Sequence, residues 1–433
     1  MSEKLLLRGG TVVDPSQELE EVRDVLIEDG KISAVETDIK SEDCEVWDVS
    51  GKHVLPGLID LHVHFREPGQ EGKETIASGS RSAALGGVTT VVPMANTSPV
   101  IQKPADIRYV SYIAQDQAIV NVFPVAAATV DQKGEELTEY GNLKASGAIA
   151  LSDDGLPIMN GAVMRRVLEY ASMFDLPVML HEEDKNLSAG GSMHEGYWST
   201  YLGIGGISPA AEEVMIARDL ILAEETKGRI HIQHVSTARS VDLVRTGKER
   251  GIQVTAEACP HHFTLTDEAV KGYRTHAKMN PPLRTAWDRD AVIQGLKDGT
   301  LDLISTDHAP HTRHEKEQEF DLAPFGIIGL ETMFALTYNQ LVLPGHLSLM
   351  YAVQKMTLEP AKVLGLHKEK GTLMTGFDAD ITIVDLGLKR TYTEAEILSK
   401  SKNTPFIGME FQGWPVGTIV GGKIVMRDRK LVA

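Results

Sequence analysis

Gly57-Leu58-Ile59-Asp60-Leu61-His62-Val63-His64-Phe65-Arg66 reads as a buried strand that ends in a His-x-His pair. Side chains alternate across a strand, so His62, His64 and Arg66 point the same way. Two imidazoles followed by a guanidinium pack poorly in a core. They suit a divalent metal held beside a carboxylate or phosphate. One such pair is a weak signal. Its weight comes from later strands that end in the same kind of residue.

Between about residues 56 and 368, strand-like and helix-like patterns alternate, as in a parallel α/β fold. The second strand, 89–94, leads to Asn96, and the third covers 118–123. The fourth, 147–151, runs into Asp153-Asp154-Gly155, the fifth, 177–180, into His181, and the sixth, 229–233, into His234. The seventh, 253–256, leads to His261-His262 and the eighth, 301–304, to Asp307. Asn160 is placed to cap a helix carrying Val163, Val167, Tyr170 and Phe174. Ser208-Pro209 offers a cap and a first-turn proline to a helix with Val214, Ala217, Ile221 and Leu222 on one face. Eight strands with interleaved helices predict a (β/α)8 barrel. No Gly-x-Gly-x-x-Gly follows the first strand, which weighs against a dinucleotide-binding sheet.

The two ends read differently. Residues 11–14, 24–27 and 31–35 form a β meander, with Asp29-Gly30 as a hairpin turn. Residues 380–384 and 418–426 repeat the style, with Gly421-Gly422 between two strand-like runs. Neither end alone buries enough surface to fold. Residues 1–55 and 369–433 are therefore expected to pack together as one small β-sandwich, closed around the 56–368 barrel.

The length of 433 residues suits such a pairing, and 42% hydrophobic with 24% charged residues is a globular balance. A net charge of −18 argues against nucleic acid or an anionic membrane as partner. An anionic substrate then needs local cations, of which Arg66 is one. The first ten residues hold only three consecutive leucines, short of a signal-peptide core. No apolar run approaches the ~20 residues of a spanning helix. Cys44 and Cys259 lie far apart without C-x-x-C spacing, as expected in a reducing cytoplasm.

In a barrel the C-terminal strand ends meet at one mouth, where active sites lie. The polar residues placed there are His62, His64, Asp154 with Asp153 beside it, His181, His234 and Asp307. Four imidazoles and two carboxylates suit Zn²⁺ better than Mg²⁺ or Ca²⁺, which prefer oxygen shells. Taken singly, His181 also reads as a solvated strand end, His234 as a helix cap, and Asp307 as a cap or turn residue. Their joint occurrence on five strand ends points to a metal centre. Cys259, His261 and His262 are not expected to form another one, because three residues in one short run lack a fourth ligand.

With these pieces in order, the chain resembles the amidohydrolase superfamily and, within it, the bacterial class I dihydroorotases. The likeness rests on 56–69, Met94-Ala95-Asn96-Thr97, Ser152-Asp153-Asp154-Gly155, His181-Glu182-Glu183, 231–237, 259–263, 278–284, 306–311 and 323–332. It implies a barrel with a β-sandwich from both termini, one or two Zn²⁺ per chain, and His62, His64, Asp154, His181, His234 and Asp307 as ligands. It implies the interconversion of N-carbamoyl-L-aspartate and L-dihydroorotate in pyrimidine biosynthesis, with Asp307 as proton carrier. His64, Arg66, Asn96, Asn280, His311 and the backbone at Phe325-Gly326 would contact substrate, under a loop at the mouth able to act as a lid. A homodimer and association with an aspartate transcarbamoylase are further implications.

Two rivals remain in view. Hydantoinases, dihydropyrimidinases and allantoinases usually carry a carboxylated lysine at the end of the fourth strand. Asp153-Asp154-Gly155 stands there instead, and the nearest lysine, Lys144, precedes the strand. A catalytically dead structural homologue would be expected to lose ligands, whereas all six positions are filled.

Overall fold

Leu58–Val63 is buried at every position, on both faces. A strand lining a barrel and covered outside by helices has no solvated face. It pairs in parallel with Val88–Pro93, which pairs with Asn121–Val122. A second parallel run joins Leu151–Ser152, Val178–Leu180, Ile230–Ile232, Val254–Ala258 and Leu303–Ile304. Bridges from Ala126 to Leu151 and from Val63 to His308 link the two runs into a ring. The (β/α)8 barrel is thus present. These bounds come from a computed structural model, which describes residues 4–40 and 44–432. The outermost positions of the two terminal stretches, 1–3 and 433, and residues 41–43 lie outside the described residues.

The third strand is shorter than the expected 118–123. Ala118 ends the helix Pro104–Gln117, and Pro124 has no N–H with which to extend the ladder. Inside the ring, Ile59, Leu61, Val92, Met94, Val125, Ala150, Met179 and Leu303 form one apolar cluster with Ala361, Val363 and Leu364. That plug leaves the strand ends beyond it to carry polar side chains.

Helix Gly161–Ser172 is capped as expected, with Asn160 Oδ1 accepting from Ala162 N at 2.9 Å. Helix Ala210–Thr226 departs from expectation. Its buried face is Ala211, Glu212, Met215, Ile216, Asp219, Leu220 and Ala223, while Val214 and Ile221 are exposed. A buried acid decides the rotation. Glu212 accepts from Ser236 N at 2.9 Å and Thr237 N at 3.3 Å, while Asp219, also buried, is neutralised by Arg218 of the same helix at 2.6 Å. Polar partners that burial demands outweigh two methyl-rich side chains left in water.

The termini build one nine-stranded sheet, joined where His53–Pro56 runs antiparallel to Ile381–Thr391. Leu5, Leu7, Val12, Val25, Ile27 and Ile32 from one end share an apolar cluster with Ile381, Ile383 and Ile419 from the other. Asp29 and Gly30 (φ 50° and 78°) and Gly421 and Gly422 (53° and 79°) both turn with positive φ at the two central positions of a tight hairpin. The C-terminal stretch also reaches the barrel: Tyr392, Ile397, Phe406, Phe411 and Trp414 pack with Met279, Ala309, Ile327 and Ile328. Among the described residues no helix is long and apolar enough to cross a membrane.

Candidate metal centre and substrate cavity

The strand ends bring His62, His64, Asp154, His181, His234 and Asp307 together. His64 Nε2 lies 3.0 Å from Asp307 Oδ1, and His62 Nε2 lies 3.5 Å from the same oxygen. His181 Nδ1 and His234 Nε2 are 2.8 Å apart. Asp154 stands between the two groups, 3.4 Å from His62 Nε2, 3.5 Å from His64 Nε2, 3.8 Å from His181 Nδ1 and 3.9 Å from His234 Nε2. Asp153 turns away, with Oδ1 accepting from Ala128 N at 2.8 Å and Thr129 N at 3.1 Å. Geometry therefore separates the two neighbouring carboxylates.

Three of the four histidines have their second nitrogen held, which fixes the one that faces the centre. His62 Nδ1 is 2.6 Å from Glu257 Oε1, His64 Nδ1 is 3.0 Å from Asn96 Oδ1, and His181 Nε2 is 3.0 Å from Glu183 Oε2. His62 Nε2, buried, makes no hydrogen bond. Burial raises the Asp154 and Asp307 carboxyls, yet His62 and its neighbouring imidazoles outweigh it and hold both below the usual range. Burial and the rings of His181 and His62 push His234 down to about 3, the neutral form that binds metal. Burial lowers the His62 imidazole, yet Asp307, Glu257 and Asp154 outweigh it and raise it well above its usual value, so the buried carboxylates draw positive charge to the centre, which a bound cation can supply in place of that proton. An orphaned nitrogen and converging N and O donors fit a divalent ion of the zinc type.

Beside the centre lies a cavity of about 380 Å³, lined among others by His64, Arg66, Asn96, Asn280, His311 and Phe325. Arg66 Nε donates to Pro310 O at 3.3 Å, and its Nη2 is 3.4 Å from His311 Nε2. Burial, then the Arg66 charge, keeps His311 neutral by lowering its pKa. Asn96 Nδ2 donates to Asp154 Oδ2 at 3.1 Å, and Asn280 Nδ2 to Glu183 Oε2 at 3.0 Å. Gly326 lies behind Phe325 and is not part of the lining. Its N–H goes to Lys278 O at 2.9 Å, and a Cβ there would meet Ala309 O at 2.6 Å, so only glycine fits.

Several residues that serve the site escaped the sequence reading. Glu183 and Lys185 pair with each other on the cavity wall. Glu257, fully buried, grips both His62 and His231. Asn403 Nδ2 donates to Ala309 O at 2.9 Å and Gly326 O at 3.0 Å, tying the C-terminal stretch to the mouth. Glu183, two residues after His181, carried a local signal. Asn403 carried none.

An eight-stranded barrel with four imidazoles and two carboxylates at its mouth defines a hydrolase of the metal-dependent amidohydrolase class. A family model described as "Amidohydrolase family" matches residues 215–426, and one described as "Dihydro-orotase-like" matches residues 51–240. The dihydroorotase of Pelotomaculum thermopropionicum is 57% identical over 426 residues, covering 98% of this chain and 99% of the relative. That of Acetivibrio thermocellus is 50% identical, covering 99% and 100%. The chain belongs to the dihydroorotase family. Solved structures share its fold at lower identity. The L-hydantoinase of Arthrobacter aurescens superposes with TM-score 0.90 at 25% identity, covering 100% of this chain and 98% of its own. The dihydropyrimidinase of Brevibacillus agri gives 0.87 at 25%, covering 99% and 96%.

Proposed function

We propose that the protein is a zinc-dependent dihydroorotase, interconverting L-dihydroorotate and N-carbamoyl-L-aspartate. Identity of 57% along essentially the whole chain to a relative of that name carries the reading. His62, His64, Asp154, His181, His234 and Asp307 are the residues that would hold the metal, with Asp154 lying between the two halves of the centre. When bound, the metal supplies Lewis acidity, lowering the pKa of water and polarising the carbonyl under attack.

Asp307 does the proton work. Held ionised among the imidazoles, its carboxylate takes a proton from the attacking water and passes it to the ring nitrogen as the amide C–N bond breaks. In the direction of ring closure it removes the proton from the carbamoyl nitrogen that attacks the side-chain carboxylate. Arg66 offers a fork for the substrate's α-carboxylate, with Asn96 and neutral His311 beside it as hydrogen-bond partners. Asn280, held by Glu183, faces the ring, and Phe325 frames the amide edge.

The test is elemental analysis of purified protein together with hydrolysis of dihydroorotate, hydantoin and dihydrouracil. Stoichiometric zinc and a strong preference for dihydroorotate are expected. Preference for hydantoin or dihydrouracil would assign the rival cyclic-amide chemistry. Neither metal nor hydrolysis would mark a structural homologue.

A further inference from the structure

The strand Val254–Ala258 runs directly into Cys259, which precedes the short helix Pro260–Thr264. The tight turn there places one donor atom each from Cys259, His261 and His262 within 4.8 Å of one another. All three residues are buried, at 0%, 2% and 3% exposure. Nε2 of His261 and Nδ1 of His262 have no hydrogen-bond partner, a costly state for buried polar atoms. The other nitrogen of His262 is accounted for: Nε2 donates to Pro281 O at 3.0 Å. That bond places the proton on Nε2 and leaves a lone pair on Nδ1. Burial lowers the pKa of both imidazoles, so both are neutral and able to ligate.

We propose that Cys259, His261 and His262 form a second metal site, for a thiophilic cation of the zinc class, separate from the centre at the barrel mouth. One sulfur and two imidazole nitrogens are a borderline-soft donor set, unlike the nitrogen and oxygen donors of the mouth. Metal–ligand bonds of ~2.0–2.3 Å bridge donors spaced as these are after small side-chain rotations. A water completes a four-coordinate site. Binding forms a metal–sulfur bond, and the Cys259 thiol gives up its proton to solvent. The missing fourth protein ligand, which counted against this run in the sequence, therefore does not exclude it. The site would brace the substrate cavity, because His262 grips Pro281, next to Asn280.

Cobalt substitution tests the proposal. The mouth offers Co²⁺ only nitrogen and oxygen, so thiolate-to-cobalt charge transfer in the near ultraviolet can arise only from a cysteine. Metal-free protein titrated with Co²⁺ should develop that band and release a proton with it. Cys259→Ser should lose the band and bind one equivalent less, yet keep the cobalt of the mouth, whereas Cys44→Ser should keep the band. A saturated protein without the band, or a band that survives Cys259→Ser, would overturn the site. If Cys259→Ser fails to fold, zinc-edge X-ray absorption of the zinc-saturated natural chain decides. A zinc–sulfur shell at ~2.3 Å supports the site, and its absence refutes it.

Discussion

Asp307 adopts φ 47°, Arg66 61° and His234 34°, left-handed conformations that non-glycine residues rarely take. Each costs on the order of 1 kcal/mol or more, a cost found where the chain aims a side chain at a site. Three such residues at one barrel mouth are consistent with their proposed roles. For Asp307, the expected consequence of Asp307→Asn is turnover per bound metal lower by roughly two to four powers of ten. Turnover normalised to zinc that stays near the natural level would remove it as proton carrier. Arg66→Lys keeps the charge but loses the fork. A charge-assisted contact of about 1.5–3 kcal/mol implies a roughly 10–100-fold fall in kcat/KM with metal content unchanged. Unaltered kinetics would take Arg66 out of the substrate site. At the fourth strand end, Asp154→Ala should lose metal or activity. Asp153→Ala should retain both and show only lower stability, because it serves Ala128 and Thr129 instead. A carboxylate supplied by the chain needs no carbon dioxide, so zinc should reactivate metal-free protein equally with and without bicarbonate. A bicarbonate requirement would contradict Asp154 as the bordering ligand.

At the scale of elements, the loop 311–326 is held by two buried lysines that use backbone carbonyls instead of carboxylates. Lys316 Nζ donates to Pro324 O at 2.8 Å and Gly326 O at 3.1 Å. Lys278 Nζ donates to Phe320 O at 2.7 Å and lies 4.6 Å from the Phe325 ring centroid. Burial pushes Lys316 down to about 7 and Lys278 to about 8. Such groups are kept at a cost, and what they hold is the segment that frames the substrate edge. Lys316→Met matches the length but leaves those carbonyls without a donor. We expect the KM for dihydroorotate to rise roughly tenfold, in line with buried carbonyls left without a donor, with zinc content unchanged. Limited proteolysis should cut within 311–326 sooner than in the natural chain. An unchanged KM and an equally resistant loop would show that the lysines only fill space.

At the scale of the whole molecule, Asp380 joins the terminal sheet to the barrel. Its carboxylate accepts from Lys370 Nζ at 2.7 Å, from Asn121 Nδ2 at 2.9 Å and from Gly421 N at 2.8 Å. Asn121 belongs to the third barrel strand, so one buried group ties barrel, junction and C-terminal hairpin. Asp380→Ala strands the Lys370 charge on that side and should destabilise the fold by roughly 3 kcal/mol, measured by denaturant unfolding. A loss below about 0.5 kcal/mol would mean that Asp378, 2.8 Å from the same amine, suffices alone.

The barrel and the convergence of His62, His64, Asp154, His181, His234 and Asp307 at its mouth could be read from the chain because they depend on local pattern. Strand ends are marked by a polar residue after an apolar run, and parallel connectivity forces those ends to one mouth. The two Gly-containing hairpins were legible for a similar reason, since positive φ restricts which residues can turn there. Which face of Ala210–Thr226 is buried was not, because Glu212 finds its partners, Ser236 and Thr237, on another element. Strand alternation puts the neighbours Asp153 and Asp154 on opposite faces, but only the packed turn at Ala128 and Thr129 shows where Asp153 goes. Glu257 and Asn403 act on groups 195 and 94 residues away, respectively. Such contacts are set by the closed tertiary arrangement, because hydrogen bonds depend on distance in space and the local pattern of a chain carries no record of which distant carbonyl will need a donor.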